Sequence, residues 1–230
     1  MAAELPVPRC SVSCYDDCVL PPAKLTGRAL ADDPIAKMGT LVRYPRGAEI
    51  FGQDQPAEYL YQVVTGAVRT FRILTDGRRQ ICAFHLPGDY FGLEPGDQHA
   101  SYAFAISDVQ AIVTERELVA RRADRRRDVA KQLLVIRGKE IQNLQDQTLL
   151  LTKTAEERIA WFILQMARRT TSSSTVSLPM PRRDIADYLG VTVETISRTL
   201  GQLESAGWIE SMSPRQIQLK NQAALIRLVS

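Results

Sequence analysis

The chain has 230 residues, which is enough for one large domain or two small ones, each with a buried core. Its 29 basic and 26 acidic side chains leave a formal charge of +3, and the residues from Lys153 onward carry that whole surplus. No stretch approaches the roughly 18 consecutive apolar residues of a membrane span, and the first residues lack the basic start and apolar run of a signal peptide. We therefore expect a cytoplasmic protein with no membrane partner, in which cysteines stay reduced unless they bind metal or sense oxidants.

Three of the four cysteines lie in the first segment, residues 1–37, which shows no clear periodicity. Cys10, Cys14 and Cys18 are four residues apart and would form one stripe on a helix, whereas Cys82 falls in the next segment. Four thiolates can hold an iron–sulfur cluster. Zinc binding, thiol redox sensing and a leader without function are the remaining interpretations.

Residues 38–120 predict a β domain. Short β-branched and aromatic runs alternate with glycines that mark turns, which is typical of a small barrel or sandwich. Asp76-Gly77 lies at the tip of one predicted hairpin, because this dipeptide favours a two-residue turn.

Residues 121–152 predict a long helix that pairs two copies of the chain. Its apolar positions are seven, three, four and three residues apart, as in the seam of a coiled coil, although Arg137 interrupts the pattern. The seam consists of Leu134, Ile141, Leu144, Thr148 and Leu151. A second apolar row, Val129, Leu133 and Ile136, fits the alternative in which the helix lies against its own domain. Both arrangements can hold together, and we expect a homodimer.

Residues 153–230 predict a domain built on a helix-turn-helix. Thr154 and Glu157 have the spacing of a capping box at the start of one amphipathic helix. The segment from residue 182 to residue 208 then predicts two short helices that pack through apolar positions at helical spacing. Gly190 fits the sharp turn between these helices, and Thr192 fits the N-cap of the second one.

The second of these helices carries the candidate DNA-reading residues. Glu194, Ser197 and Arg198 share one polar face, and a helix that enters the major groove with its N-terminus first presents such a face to base edges. A carboxylate can accept from the cytosine amine, and a guanidinium can fork onto the two acceptors of guanine. The predicted DNA-binding set also includes Thr192, Val193 and Thr195.

A hairpin around Ser213-Pro214 is predicted beyond this segment and would form a wing. Arg215 or Lys220 in the wing could contact phosphate. A solvated surface is the alternative for both side chains.

These stretches together resemble the CRP/FNR superfamily of bacterial transcription regulators, and more closely its FNR and FixK branches. The resemblance covers nearly everything after about residue 38 and is carried by YLYQVVTGAVRTFRILTDGRRQICAFHLPGDYFGLE, by LLLTKTAEERIAWFI and by the helix-turn-helix. It implies an α+β chain with an N-terminal β-roll (a cupin-like jelly roll) as sensor domain, a long dimerisation helix and a C-terminal winged helix-turn-helix domain. It also implies a homodimer on a palindrome of double-stranded DNA, and activation through contact with RNA polymerase.

The resemblance implies a particular half-site. In the FNR and FixK branches the Glu-x-x-Ser-Arg triplet reads TTGAT, and here that triplet is Glu194, Ser197 and Arg198. The CRP branch has an arginine just before the glutamate, whereas this chain has Val193, which can contact a thymine methyl but cannot donate to guanine. We expect a TTGAT-n4-ATCAA-like palindrome and a role in oxygen, redox or anaerobic gene control.

The resemblance also bears on cofactors. Cyclic-nucleotide-binding relatives follow a Phe-Gly turn with a glutamate for the ribose and an Arg-Ser/Thr pair for the phosphate. Here Glu94 follows the turn, but the next stretch, PGDQHASYAF, has no arginine, so cyclic AMP is not expected.

FNR senses oxygen through a cysteine-held cluster, but its leader uses unequal spacings and a later cysteine where this chain has Ile112. We therefore expect no cofactor. The alternative is an FNR-type direct oxygen sensor that binds an iron–sulfur cluster, another metal or haem, with Cys10, Cys14, Cys18 and Cys82 as the candidate ligands.

An enzyme is the main competing class of function. The chain has no Gly-rich phosphate loop, no nucleophile elbow and no His-Glu-x-x-His motif, and His85 and His99 are its only histidines. A ligand-binding module with secondary DNA binding is a third class. We expect a regulator without catalytic activity.

Overall fold

The computed structural model describes residues 33–169 and 174–230. These residues form two compact units. The first unit contains the described residues up to Arg72 together with Phe84–Leu133, and the second contains Ile73–Ala83 together with the described residues from Leu134 onward. Within these ranges no helix is both long enough and apolar enough to cross a lipid bilayer.

The predicted β domain is a roll of two four-stranded sheets. Its strands are β1 (Thr40–Tyr44), β2 (Glu49–Phe51), β3 (Tyr59–Thr65), β4 (Val68–Ile73), β5 (Arg79–His85), β6 (Tyr90–Phe91), β7 (Tyr102–Ala105) and β8 (Val109–Glu115). One sheet has the order β1-β8-β3-β6 and the other β2-β7-β4-β5. The inward side chains form one apolar core that includes Val42, Tyr61, Val68 and Val113.

The turn between β4 and β5 is one residue longer than the sequence predicts. The backbone amide of Leu74 donates to the carbonyl of Arg78 at 2.8 Å, which leaves three residues in the loop. Gly77 takes a positive φ of 80° there. Glycine in this position is typical of three-residue hairpin loops, in which a turn is followed by a left-handed residue.

A buried carboxylate joins the edge of the roll to the start of the long helix. Asp33 is buried, and its side chain accepts from the backbone amides of Ile35 and Ala36. The amides of Gln62 and Gln132 also donate to this carboxylate, at 3.3 and 3.0 Å. A buried carboxylate with four donors has much of its lost hydration replaced.

Two helices follow the roll, α1 (Arg116–Ala123) and α2 (Arg127–Leu150). Helix α2 corresponds to the predicted long helix. Val129 and Ile136 are buried, and Leu133 between them is half-buried. The second apolar row therefore packs within the subunit, as one of the two sequence interpretations expects.

The C-terminal part of the chain contains helices α3 (Ala155–Arg168), α4 (Arg182–Leu189), α5 (Val193–Ser205) and α6 (Gln222–Val229), with strands β9 (Thr175–Ser177), β10 (Ile209–Ser213) and β11 (Gln216–Leu219). The strands form a sheet in the order β10-β11-β9. Thr154 and Glu157 form the predicted capping box at the start of α3. The β10–β11 hairpin is the predicted wing, so the α+β fold with a winged helix-turn-helix is confirmed.

Candidate nucleic-acid interface

The turn between α4 and α5 has the geometry that its sequence predicts. Gly190 adopts a left-handed conformation with φ 67° and ψ 39°. The backbone amide of Val191 then returns to the carbonyl of Ala186 at 3.1 Å. Glycine lacks the Cβ that makes this conformation costly for other residues, so it ends α4 sharply and allows α5 to start at once.

Thr192 is the N-cap of α5. Its side-chain oxygen accepts from the backbone amide of Thr195 at 3.1 Å, and the two hydroxyl groups are also 3.1 Å apart. Thr192 is exposed and Thr195 is half-buried. Both hydroxyls therefore take part in hydrogen bonds at the N-terminus of α5.

One face of α5 is buried against the rest of the domain. Ile196, Leu200 and Leu203 are buried, and α5 contacts α3 and α4 through this side. Their spacing of three and four residues defines a stripe along the helix. Thr199 is buried on this side as well, whereas Ser197, Arg198 and Gln202 are exposed.

The opposite face of α5 carries the predicted reading residues. Glu194, Ser197 and Arg198 are all exposed, and Val193 beside them is 36% exposed. Hydrogen bonds from the backbone of Glu194 and from the Thr192 side chain hold the pKa of Glu194 below its ordinary value. The carboxylate therefore stays ionised and available as an acceptor at neutral pH.

Arg182 lies next to this face, and sequence patterns did not identify it as part of the site. Its Nη1 donates to the Oγ of Ser197 at 3.2 Å. Arg182 stands at the first position of α4, and Arg183 next to it is exposed. The Arg182-Arg183 pair at a helix start was the available signal, since paired cations beside a reading helix favour phosphate contact.

Arg158 on α3 connects the turn that follows α2 to the C-terminal end of α4. Its guanidinium donates to the carbonyl of Lys153 at 3.0 Å, to that of Leu189 at 3.1 Å and to that of Leu151 at 3.3 Å. These carbonyls belong to the turn after α2 and to the last residue of α4. One side chain thus holds the C-terminus of α4 against the residues that follow α2.

The predicted seam residues of the long helix are exposed in the single chain. Leu134 is 74% and Leu151 is 73% exposed, and Ile141 and Leu144 are each more than half exposed. Thr148 is exposed as well, although its hydroxyl donates to the carbonyl of Leu144. A row of large apolar side chains open to solvent is typical of a surface that another protein covers.

Comparisons with known proteins agree with this geometry. Residues 157–228 match the family described as the Crp-like helix-turn-helix domain, and residues 41–126 match the Cyclic nucleotide-binding domain. The nitrogen fixation regulation protein FixK of Azorhizobium caulinodans is 45% identical over 202 residues, which cover 85% of this chain and 82% of that protein. The fumarate and nitrate reduction regulatory protein of Escherichia coli is 33% identical, over 80% of this chain and 76% of its own length.

A solved structure shows the same similarity in three dimensions. The structure of FixK2 from Bradyrhizobium japonicum has a TM-score of 0.79 and 47% sequence identity, covering 84% of this chain and 98% of that one. The chain belongs to the CRP/FNR family and is FixK-like. This family consists of transcription regulators with a DNA-binding helix-turn-helix, so the expected regulator is confirmed and the enzyme class is not supported.

The roll of this CRP/FNR protein differs from a cyclic nucleotide site where the ligand would be held. Glu94 follows the Phe-Gly turn, but its carboxylate contacts Nδ1 of His99 at 3.2 Å. The His99 ring is buried and stacks on Phe51 with ring centroids 3.6 Å apart. Burial raises the pKa of Glu94, but hydrogen bonds from His99 and from its own backbone outweigh it and leave that pKa below the ordinary value.

A cation beside this loop, Arg116, is bound to backbone carbonyls. Arg116 donates to the carbonyls of Ala57 at 2.7 Å and Gly96 at 3.1 Å, and also to that of Glu94. No arginine lies in the segment that follows Glu94. The residues at this loop therefore do not fit a cyclic nucleotide, because its phosphate would lack a free cationic partner.

Of the four candidate cysteines, the structure describes Cys82. Cys10, Cys14 and Cys18 lie outside the described residues. Cys82 is half-buried on β5, and its thiol lies 3.8 Å from the backbone carbonyl of Gln80. Within residues 33–169 and 174–230 no group of three or more His, Cys, Asp and Glu side chains is placed to hold a metal ion.

Two polar side chains elsewhere have structural partners. His85 on β5 lies 3.1 Å from the hydroxyl of Thr70, a hydrogen bond between two neighbouring strands of the roll. In the wing, Lys220 forms an ion pair with Glu210 at 2.6 Å, whereas Arg215 at the turn is exposed. Of the two candidate phosphate contacts in the wing, Arg215 is the one whose side chain remains available.

Proposed function

We propose that two copies of this regulator pair along α2 and read a TTGAT-n4-ATCAA-like palindrome of double-stranded DNA. The observation that carries the proposal is the exposed face of α5. Glu194, Ser197 and Arg198 stand together on the first two turns of a helix whose other face is buried.

The chemistry of this face suits base reading. An ionised carboxylate can accept from a cytosine amine, and a guanidinium can donate two parallel hydrogen bonds to guanine. Val193 adds an apolar surface for a thymine methyl. Arg182 and Arg183 supply positive charge beside the face, which favours the phosphate backbone.

Pairing along α2 supports the palindrome. The exposed seam would be covered by the same seam of a second copy, and a two-fold pair of recognition helices reads two inverted half-sites. In this proposal, residues 38–120 form the sensor roll, residues 121–152 form the pairing helix, and residues 153–230 form the DNA-binding domain.

The test is a titration of the full chain against labelled duplexes at physiological salt. The palindrome should bind at least about a thousandfold tighter than scrambled DNA of equal length. Equal affinity for the two duplexes would contradict the proposal. The salt concentration must be the same in both, because phosphate contacts alone weaken steeply as salt rises.

We propose further that the protein acts in oxygen-related gene control, in the cytoplasm and through RNA polymerase, without a bound cofactor. The similarity to the FixK proteins supports this role, as do relatives named anaerobic regulatory proteins at 36% and 35% identity. Anaerobic purification followed by iron, labile-sulfide, zinc and haem measurement tests the cofactor part. A stoichiometric metal that is lost when Cys10, Cys14 and Cys18 are changed to serine would instead establish the direct-sensor alternative.

A further inference from the structure

Three elements of the second unit meet at a cluster of polar contacts that the reading face does not use. One is strand β5 up to Ala83, the second is the C-terminal half of α2, and the third is α4; all belong to the same unit. The Nε2 atom of Gln147 on α2 donates to the carbonyl of Cys82 at 3.1 Å and to the hydroxyl of Tyr188 at 2.7 Å. One side-chain amide thus touches both the hairpin and α4.

The hairpin also holds α4 directly. Nη2 of Arg79 lies 2.6 Å from a carboxylate oxygen of Asp184 and 2.6 Å from one of Asp187, and its Nε is 3.0 Å from the latter. The side-chain amide of Gln80 donates to the backbone carbonyl of Asp187 at 2.8 Å. We call Arg79, Gln80, Gln147 and their partners on α4 the α4 junction.

The side chains of the α4 junction are largely buried, so their hydrogen bonds and ion pairs must be made with defined geometry. The Asp184 side chain is only 2% exposed, whereas those of Arg79 and Asp187 are 26% exposed. A carboxylate that is almost fully buried needs a charged or hydrogen-bonding partner, and a guanidinium binds two acceptors only in a fixed geometry. The junction therefore fixes the rotation of α4 about its own axis as well as its distance from α2.

Rotation of α4 matters because α4 carries α5. The two helices contact each other and are joined by the short turn at Gly190. Arg158 holds the C-terminal end of α4 near the turn after α2. This single attachment leaves α4 able to rotate about that end. The α4 junction supplies that second point, and Gln147 lies on α2 between the seam residues Leu144 and Thr148.

We propose that the α4 junction sets the spacing between half-sites that the dimer accepts, a proposal that rests on the function proposed above. If α2 pairs the subunits and α5 reads the half-site, the attachment of α4 to α2 determines the separation of the two reading helices. One added base pair moves a half-site by roughly 3.4 Å along the DNA axis and rotates it by roughly 35°, so both the separation and the rotation of the reading helices select the spacer. Arg79 and Gln147 are thus positioning residues for spacer specificity and touch no base.

The test uses the full chain and duplexes with spacers of three, four and five base pairs, together with a single half-site. Gln147→Leu keeps the side-chain size but removes both donated hydrogen bonds. The wild-type protein should prefer one spacer. In the variant, the ratio of affinities between the preferred and the other spacers should fall about tenfold, while affinity for the single half-site stays within about twofold of the wild-type value. Gln142→Leu is the matched control, because Gln142 is exposed on the same helix and its side-chain amide donates to the neighbouring Asp146 at 2.9 Å rather than to the hairpin or α4.

A charge exchange provides the second measurement. Arg79→Glu should relax spacer preference as Gln147→Leu does, and adding Asp187→Arg should restore part of it, because the ion pair is re-formed with reversed polarity. Circular dichroism and thermal unfolding show whether each variant is folded. If one variant does not fold, the other still decides the question.

The outcomes separate the two proposals. A wild-type protein with no preference for any palindrome refutes the proposed function and this inference with it. A wild-type protein with a clear spacer preference that Gln147→Leu and Arg79→Glu leave unchanged refutes the inference alone. An equal loss of affinity on every duplex, half-site included, shows a purely stabilising role and also refutes it.

Discussion

Leu144→Asp is expected to separate the proposed dimer into folded monomers. Leu144 is 57% exposed in the single chain, so its side chain contributes little to the core of its own subunit. Full burial of a leucine is worth about 1.5–3 kcal/mol, and covering the exposed part is worth about 1–2 kcal/mol by the same measure. In a two-fold interface the residue occurs twice, so the substitution removes about 2–4 kcal/mol of apolar burial.

The introduced charge adds to this loss. Two carboxylates would face each other near the two-fold axis, and each would have to give up hydration to enter the seam. Because 2.7 kcal/mol corresponds to a factor of about 100, we expect the dimer dissociation constant to rise at least about 100-fold. Affinity for the full palindrome should fall with it, whereas half-site binding by the monomer should persist.

Sedimentation equilibrium over a range of concentrations measures the association directly. Asn143→Asp is the matched control, since Asn143 is the preceding residue on α2, is exposed, and lies outside the seam. It adds the same carboxylate but should leave the dimer intact. If Leu144→Asp sediments as the wild-type protein does and still binds the full site tightly, α2 is not the pairing surface.

Three further perturbations test the reading face and the roll. Arg198→Ala should weaken palindrome binding by about 1–3 kcal/mol and relax discrimination at one guanine; titration against duplexes changed at that base measures this, and unaltered discrimination would remove Arg198 from the reading set. Gly190→Ala should lower the free energy of unfolding by about 1 kcal/mol through its positive φ alone, since a new Cβ meets only a side-chain nitrogen of Arg158 at 3.9 Å; denaturant unfolding tests it, and a stabilised variant would contradict the strain argument. The depressed pKa of Glu94 means that its stabilising contribution is present above its ordinary pKa and is lost as pH falls through the lower folded value; Glu94→Gln should therefore flatten the acid limb of stability measured between neutral pH and pH 3, and an unchanged acid limb counts against this.

Features encoded within a few residues of each other could be predicted from the sequence. The capping box of Thr154 and Glu157 spans three residues, and the N-cap of Thr192 reaches only as far as Thr195. Gly190 at the turn and the apolar stripe of α5 belong to the same class of local signal. Hydrogen bonds of this kind depend on backbone geometry that the residues themselves favour, so no knowledge of the rest of the fold is needed.

Polar contacts between distant segments could not be predicted in this way. Asp184 and Asp187 lie on α4, where sequence alone indicates no more than that a carboxylate near a helix start complements its positive end. In the structure they bind Arg79, which is 105 and 108 residues away along the chain. Hydrophobic periodicity indicates which face of a helix is buried, but it carries no information on which cation lies opposite a buried carboxylate. The missed residues are therefore those whose partners the fold alone brings together.

The interior of the roll indicates where the regulatory signal can enter. The Glu94 carboxylate pairs with His99, and Arg116 donates to the backbone carbonyls of Ala57, Glu94 and Gly96. A phosphate that bound there would have to displace these carbonyls before it could pair with Arg116. We therefore propose that the signal acts through another part of the chain or through the amount of protein made. Because Cys10, Cys14 and Cys18 are the first candidates for a sensor, metal analysis under anoxia distinguishes direct sensing from control of expression more directly than any ligand screen against the roll.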